Sequence, residues 1–524
     1  MIKKRMRTWL AALVVAVVLA CGFATPAQAV TSDAKGEVTL RNIEAGASID
    51  VYHIITVTWD DTADQPKEPV YVWSTVGGDK SVANWVKIKH PDYIDAQTNA
   101  VTDAFNTDDK AKTFYDELSA AIKNGEVALP AEQPTVTAVE GGTTFRNLAL
   151  GTHLFIIGGG ENNNYIYQPV AQNVVPVWKD NAWVVDNPSQ DVAVKREETS
   201  IDKKIDGTKK IVGAQYGDVI NYDLNVPVPQ YPANAIKKLF YISDKLSTGL
   251  TLDESSIKVY GVNGDEETLL VEGTDYELTK TDSKGNAVSF GINMNEPYYD
   301  KVKGYQSIHV DYNAVVNNQA VIGETGNPNE AKLEFNNNPY DEQGYKTDTD
   351  ETKVYTFGID IVKLDKDGKT PLSGAEFNLS KHEDGSEPMQ FVEETPGVYH
   401  LYNAENDKGA TPTTTIKVDD KGKLNIKGLN EGVYYLVETK APDGYVKPSG
   451  AVKITITASK DGQGNMTGHV EGEVTVGYVH QDVLNDKGFE LPETGGPGTV
   501  ALTAAGVVLM VGAAALIVRG RKQN

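Results

Sequence analysis

Ile359-Asp360-Ile361-Val362-Lys363-Leu364-Asp365 is the stretch on which the fold turns. Side chains along a strand alternate between faces, so Ile359, Ile361 and Lys363 share one, and an ammonium stands where the core should be. Two later segments supply matching oddities. Tyr434, Leu436 and Glu438 put a carboxyl on an apolar face, and Val483 with Asn485 puts an amide there. An earlier region repeats the set in the same order: Ile201, Lys203 and Ile205; Phe240, Ile242 and Asp244; Leu333, Phe335 and Asn337. Lys204 is the alternative to Lys203. A lone strand-face lysine ordinarily snorkels to water. Two regions that both place Lys, acid and Asn inward argue for a shared chemistry.

That chemistry follows from burial. Desolvation pushes a buried lysine toward the neutral, nucleophilic amine and keeps a buried carboxyl protonated. The acid can then hydrogen-bond the Asn carbonyl and pass protons. Attack of the amine on the amide carbon, with loss of ammonia, leaves a Lys–Asn isopeptide bond. Folding alone supplies the proximity, so no cofactor and no metal is expected.

The two ends of the chain define its route. Lys3, Lys4, Arg5 and Arg7 precede an apolar core from Trp9 to about Ala24, and Ala27-Gln28-Ala29 offers small residues to signal peptidase. Cleavage between Ala29 and Val30 is expected. It discards Cys21, the one cysteine, so an exported chain would have no disulfide. At the other end, Leu491-Pro492-Glu493-Thr494-Gly495 is followed by an uncharged run from Gly498 to Val518 and then by Arg519, Arg521 and Lys522. A run of that length can span a bilayer as a helix, with the basic tail cytoplasmic.

Charge and length set further limits. The chain has 49 basic and 73 acidic residues among 524; without the segments 1–29 and 495–524 it keeps 42 basic against 73 acidic, a net of −31. Nucleic acid is excluded as a partner. Short alternating apolar runs punctuated by Gly, Asn and Asp predict an all-β protein, with one helix over about Thr102 to Lys123 inside the first domain. The expected divisions are a signal peptide over 1–29, domains over 30–195, 196–354 and 355–490, and a sorting segment over 491–524. Enzyme signatures are missing: there is no His-Glu-x-x-His pair, nucleophile elbow or phosphate loop. Asp365-Lys366-Asp367-Gly368 reads as a turn rather than a calcium loop, and Gly158-Gly159-Gly160 as a hairpin.

Several motifs resemble those of sortase-assembled Gram-positive major pilins. LPETG with its apolar run and basic tail is similar to a cell-wall sorting signal, which implies sortase cleavage between Thr494 and Gly495. Tyr434 to Tyr445 resembles the pilin E-box, and Lys363-Leu364-Asp365 with Pro371 to Phe377 resembles the opening of a collagen-adhesin B-type (CnaB) domain. The resemblance implies Lys363 bonded to Asn485 with Glu438 as catalyst. The region with Asp244 to Thr251 and Phe335 to Pro339 resembles the middle pilin domain, which implies a Lys203–Asn337 bond with Asp244 in place of Glu. The implied architecture is three tandem Ig-like (CnaA/CnaB-type) β-sandwiches, and the implied function is a structural shaft subunit that supports adhesion. Implied partners are a pilin-polymerising and a housekeeping sortase, further copies of the chain joined head to tail, peptidoglycan, tip and base pilins, and a host surface ligand. Polymerisation needs an acceptor lysine. The family's Tyr-Pro-Lys-Asn pilin motif is missing here, leaving Lys195 in Val192-Ala193-Val194-Lys195-Arg196 preferred and Lys179 as the alternative. A monomeric wall-anchored adhesin or ancillary pilin is the competing reading.

Overall fold

The computed structural model describes residues 30–105, 108–160, 163–185, 189–488, 505–506 and 508–511. The signal peptide, the LPETG motif and most of the apolar run expected to cross a membrane lie outside the described residues. No helix among the described residues is long and apolar enough to cross a membrane. Strands dominate, and the chain divides into two compact units, the first running mainly to Tyr355 and the second from Thr356.

Within the first unit, the N-terminal region is built on a sheet in which the strands Gln65–Trp73, Ser48–Asp60, Gly151–Gly158 and Val170–Val174 lie side by side. One face packs against a three-stranded sheet of Ser189–Ala193, Gly36–Arg41 and Thr143–Leu148 through Val38, Leu40, Ile49, Val51, Phe145 and Phe155. The other face is covered by helices. Asp108–Lys123 falls within the expected helix and buries Phe114, Leu118 and Ile122 at helical spacing. A second helix, Val82–Lys89, was not foreseen; it is capped by the Ser81 hydroxyl, which accepts from Asn84 N at 3.3 Å.

The Gly158-Gly159-Gly160 triplet is not a hairpin. It follows the strand Gly151–Gly158 and lies against Asn337 and Asn338, with Gly159 N donating to Asn337 O at 2.7 Å. A Cβ on Gly159 would stand 2.5 Å from Asn337 Nδ2, so the glycine permits the backbones to approach. Residues 196–198 pair with Tyr165–Tyr167, and Thr199 N donates to Asn164 O, so the N-terminal region runs past the expected boundary at 195.

The middle region of this unit comprises two sheets. One orders Asp202–Ile205, Val219–Pro227, Ser307–Val316, Leu250–Asn263 and Glu266–Leu269. The other is six-stranded and includes Lys346–Tyr355, Asn327–Phe335, Phe240–Leu246 and Ala287–Asn293. Ile220, Tyr222, Leu224 and Val226 alternate inward as their spacing predicts, as do Ile308, Val310, Tyr312 and Ala314. The segment after Phe335 turns back to the N-terminal region, where Tyr340 joins the helical core and donates to Asp116 Oδ1 at 2.8 Å.

The second unit sets a six-stranded sheet beside a four-stranded one. Its first strand, Phe357–Asp365, lies parallel to its last, Tyr478–Asn485, with Lys363 opposite Val483 and Asp365 opposite Asn485. Glu438 comes from Gly432–Lys440 in the smaller sheet. The Asp365 to Gly368 segment is a turn: Asp367 Oδ1 accepts from Lys369 N and Thr370 N.

Candidate functional site

In the second unit the three residues expected together are together. The parallel pairing of first and last strands brings Lys363 to the end of the strand that carries Asn485. Lys363 Nζ donates to Asn485 Oδ1 at 2.5 Å and to Val483 O at 3.0 Å. Asn485 Nδ2 donates to Glu438 Oε1 at 2.8 Å, while Glu438 Oε2 is buried without a hydrogen-bond partner. All three residues are buried. Desolvation lowers the Lys363 pKa against the opposing pull of Glu438. It raises that of Glu438 against the Asn485 hydrogen bond and the Lys363 charge. Both shifts favour the neutral pair, an amine at the amide oxygen and a carboxylic acid at the amide nitrogen.

The middle region brings together Lys203 and Asp244 but not Asn337. Lys203, 0% exposed, donates from Nζ to Asp244 Oδ2 at 2.5 Å; the neighbouring Lys204 is turned outward to Asp202. Desolvation pushes Lys203 down to about 8 despite Asp244, and raises Asp244 despite Lys203 and Tyr312. The strand that was expected to deliver Asn337 ends at Phe335. Asn337 lies beyond it, and its Nδ2 donates to Gly160 O at 2.9 Å and Asn163 O at 3.3 Å. The amide that reaches the site is Asn329, on the same inward face as Ala331, Leu333 and Phe335 but nearer the start of the strand. Its Nδ2 donates to Tyr312 Oη at 2.8 Å; that hydroxyl also accepts from Lys203 Nζ at 2.8 Å and donates to Asp244 Oδ2 at 2.9 Å. Asp244 Oδ1 and Asn329 Oδ1 are both buried with no partner. A proton on Asp244 Oδ1 would give the carboxyl a hydrogen to donate.

The sequence signal for Asn329 was available: Asn327 and Asn329 are two amides on an otherwise apolar strand face. Tyr312 gave no such signal, because an aromatic among Ile308, Val310 and Ala314 reads as core.

The N-terminal region has no comparable Lys, acid and Asn set among its described residues. Among its buried polar side chains is His153, whose Nδ1 lies 2.7 Å from Glu132 Oε2 and whose ring stacks on His53 at 4.8 Å. Burial and the neighbouring His153 push His53 down to about 4. Of the two acceptor candidates, Lys195 follows the strand Ser189–Ala193 and is exposed, with Nζ 3.6 Å from Glu197 Oε1. Lys179, also exposed, ends a strand of a two-stranded ribbon. Among the described residues one group has metal-like spacing, Asp223, His309 and Asp311, and it is internally paired, with His309 Nε2 2.9 Å from Asp311 Oδ1.

Comparison with known proteins accounts for most of the chain. Residues 216–339 match the Gram-positive pilin backbone subunit 2, Cna-B-like domain; residues 357–469 match the SpaA prealbumin-like fold domain; residues 484–524 match the LPXTG cell wall anchor motif. The trypsin-resistant surface T6 protein of Streptococcus pyogenes serotype M6 is 26% identical over 585 aligned positions, covering 98% of this chain and 100% of that protein. Fimbrial subunit type 1 of Actinomyces viscosus is 24% identical, covering 80% of this chain and 82% of its own length. Among solved structures, the three-domain T6 backbone pilin of S. pyogenes superposes with a TM-score of 0.58 at 20% identity, over 88% of this chain and 100% of that one. The full-length major pilin SpaD of Corynebacterium diphtheriae gives 0.51 at 19% identity, over 88% and 99%. At these identities the two structures attest the shared fold.

Proposed function

We propose a mode of action for a chain that belongs to the sortase-assembled Gram-positive backbone pilins: a shaft subunit, anchored at the cell wall, whose domains staple themselves. The staples are a Lys363–Asn485 bond catalysed by Glu438 and a Lys203–Asn329 bond catalysed by Asp244. The observation that carries this reading is the contact of Lys363 Nζ with the Asn485 amide, with Glu438 on that amide's nitrogen. Nucleophile, electrophile and acid are held together in a buried site, which is the positioning that makes an otherwise slow amide exchange feasible.

Polymerisation joins Thr494 of one subunit, cleaved from Gly495 by a sortase, to an acceptor lysine of the next. Lys195 is the acceptor: it is exposed, and it stands where the N-terminal region hands over to the strand carrying Lys203. The chain acts as a structural protein whose only chemistry is on itself. Three domains over roughly 30–199, 200–355 and 356–490 form the unit of the shaft, and partners are the sortases, further copies of the chain and the wall peptidoglycan.

The test is an immunoblot of wall extracts boiled in detergent, from cells expressing the wild type, Lys195→Ala or Lys179→Ala. A high-mass ladder lost only in Lys195→Ala is expected. A ladder lost only in Lys179→Ala would move the acceptor, and a single wall-linked band in the wild type would favour a monomeric adhesin.

A further inference from the structure

The two proposed staple sites differ in one atom-level respect. In the second unit the carboxyl touches the amide nitrogen itself, Glu438 Oε1 to Asn485 Nδ2 at 2.8 Å. In the middle region the acid is an aspartate, one methylene shorter. Its Oδ2 contacts Lys203 Nζ and Tyr312 Oη, and it is Tyr312 Oη that receives Asn329 Nδ2. The phenol thus fills the gap between a short acid and the amide that must lose ammonia.

Tyr312 is also held still. It sits in the central strand Ser307–Val316, 1% exposed, stacked on Tyr222 with ring centroids 5.1 Å apart and edge-on to Phe290 at 4.9 Å. A buried tyrosine usually satisfies its hydroxyl on whichever polar group is at hand. Here all three partners of one hydroxyl are the groups the reaction uses.

We propose that Tyr312 is a catalytic residue of the middle-region staple, relaying a proton from the attacking Lys203 nitrogen to the departing Asn329 nitrogen. This deepens the Lys203–Asn329 reading and rests on it. Neutral Lys203 Nζ attacks Asn329 Cγ, forming the new C–N bond and a tetrahedral centre with positive charge on Nζ. The Nζ–H bond breaks as Tyr312 Oη takes that proton. The Oη hydrogen, which rests on Asp244 Oδ2 before reaction, turns to Nδ2, which has become basic because it is no longer conjugated, and is transferred to it. The Cγ–Nδ2 bond then breaks, ammonia leaves, and Tyr312 is again a neutral phenol. No oxidant, reductant or second substrate enters. Burial beside Asp244 raises the phenol pKa well above its ordinary value, in keeping with a phenolate that does not accumulate.

The experiment follows bond formation in the full ectodomain after synthesis, by intact mass and by mass spectrometry of crosslinked peptides, in wild type and Tyr312→Phe. General acid–base relays are worth about 100-fold or more. The Lys203–Asn329 peptide should therefore form about 100-fold more slowly in Tyr312→Phe, while the Lys363–Asn485 peptide forms at the wild-type rate. An unchanged rate for the first peptide overturns the relay. Absence of that peptide from the wild type refutes the staple itself and takes the relay with it, an outcome distinct from the first. Should Tyr312→Phe misfold, 3-fluorotyrosine at 312 keeps the shape and makes the phenol more acidic. A changed rate of bond formation supports the relay, and an unchanged rate overturns it.

Discussion

A staple at Asn329 rather than Asn337 makes the middle region partly extensible under tension. Pulling along the shaft loads the chain where it enters near residue 200 and where it leaves at Tyr355. With Lys203 bonded to Asn329, force crosses directly from the first strand to the strand Asn327–Phe335. The final strand, Lys346–Tyr355, lies outside the closed loop and is held by non-covalent contacts: its ladder with Asn327–Phe335, the neighbouring strand Ile211–Gly213, and hydrogen bonds from Ile201 N to Asp348 and from Lys203 N to Asp350. Asn329 faces Thr352 in that ladder, a folded separation of about 5 Å. The roughly 23 residues between them reach about 75 to 83 Å when extended, so peeling this hairpin should lengthen the subunit by about 70 to 78 Å. The load unzips the ladder pair by pair from the Asn327–Val354 end, a weak geometry backed by the Tyr340 and Asn337 anchors in the N-terminal region. Single-molecule force spectroscopy of wild type against Asn329→Ala is the assay. The wild type should show this short step, and the variant should replace it with the whole middle region, on the order of 500 Å at full extension. A wild type without the short step would place the staple closer to Tyr355, and a 500 Å step in the wild type would mean no staple there.

Other consequences can be checked in solution. Glu438→Gln should leave the Lys363–Asn485 bond unformed; the bond would close a loop with ends 122 positions apart, worth about 4 to 5 kcal/mol in the chain-entropy account, and calorimetry and trypsin digestion should show the loss. Asn337→Ala should keep every staple yet cost about 1 to 3 kcal/mol, because it removes two hydrogen bonds to the Gly160 and Asn163 carbonyls; a missing ammonia deficit relative to wild type would restore Asn337 as the crosslinking residue. Gly159→Ala should destabilise the N-terminal region, since its Cβ would meet Asn337, as read by urea unfolding. His53 is held neutral, its pKa lowered from 6.5 to about 4. The unfolded chain therefore binds the extra proton first, and stability is fully present above pH 6.5 and falls as pH drops toward 4, by about 3 kcal/mol. His53→Leu should flatten that slope in urea titrations.

The second unit was legible because its candidate residues lie inside regular strands: Ile359, Ile361 and Lys363 alternate, and the register with Val483 and Asn485 is unbroken. The middle region misled at a strand end. Leu333, Phe335 and Asn337 keep alternating on paper, but the strand stops at Phe335, and parity without a boundary cannot distinguish Asn337 from Asn329. Tyr312 was hidden because its ring is ordinary core and only its hydroxyl is chemical. The helix Val82–Lys89 was hidden by its length: eight residues give too few turns for a periodic signal, and its stability comes from Trp85 and Val86 packing on the sheet. The glycine triplet could not be read locally at all, because what requires it is a segment nearly 180 residues away.

The most direct test of self-stapling is the crosslink map of the purified ectodomain: intact mass, then tandem mass spectrometry of its proteolytic peptides. The account predicts a mass short by one ammonia for each of two bonds, with Lys203 joined to Asn329 and Lys363 joined to Asn485. Full sequence mass, with both lysines recovered in linear peptides, would contradict it.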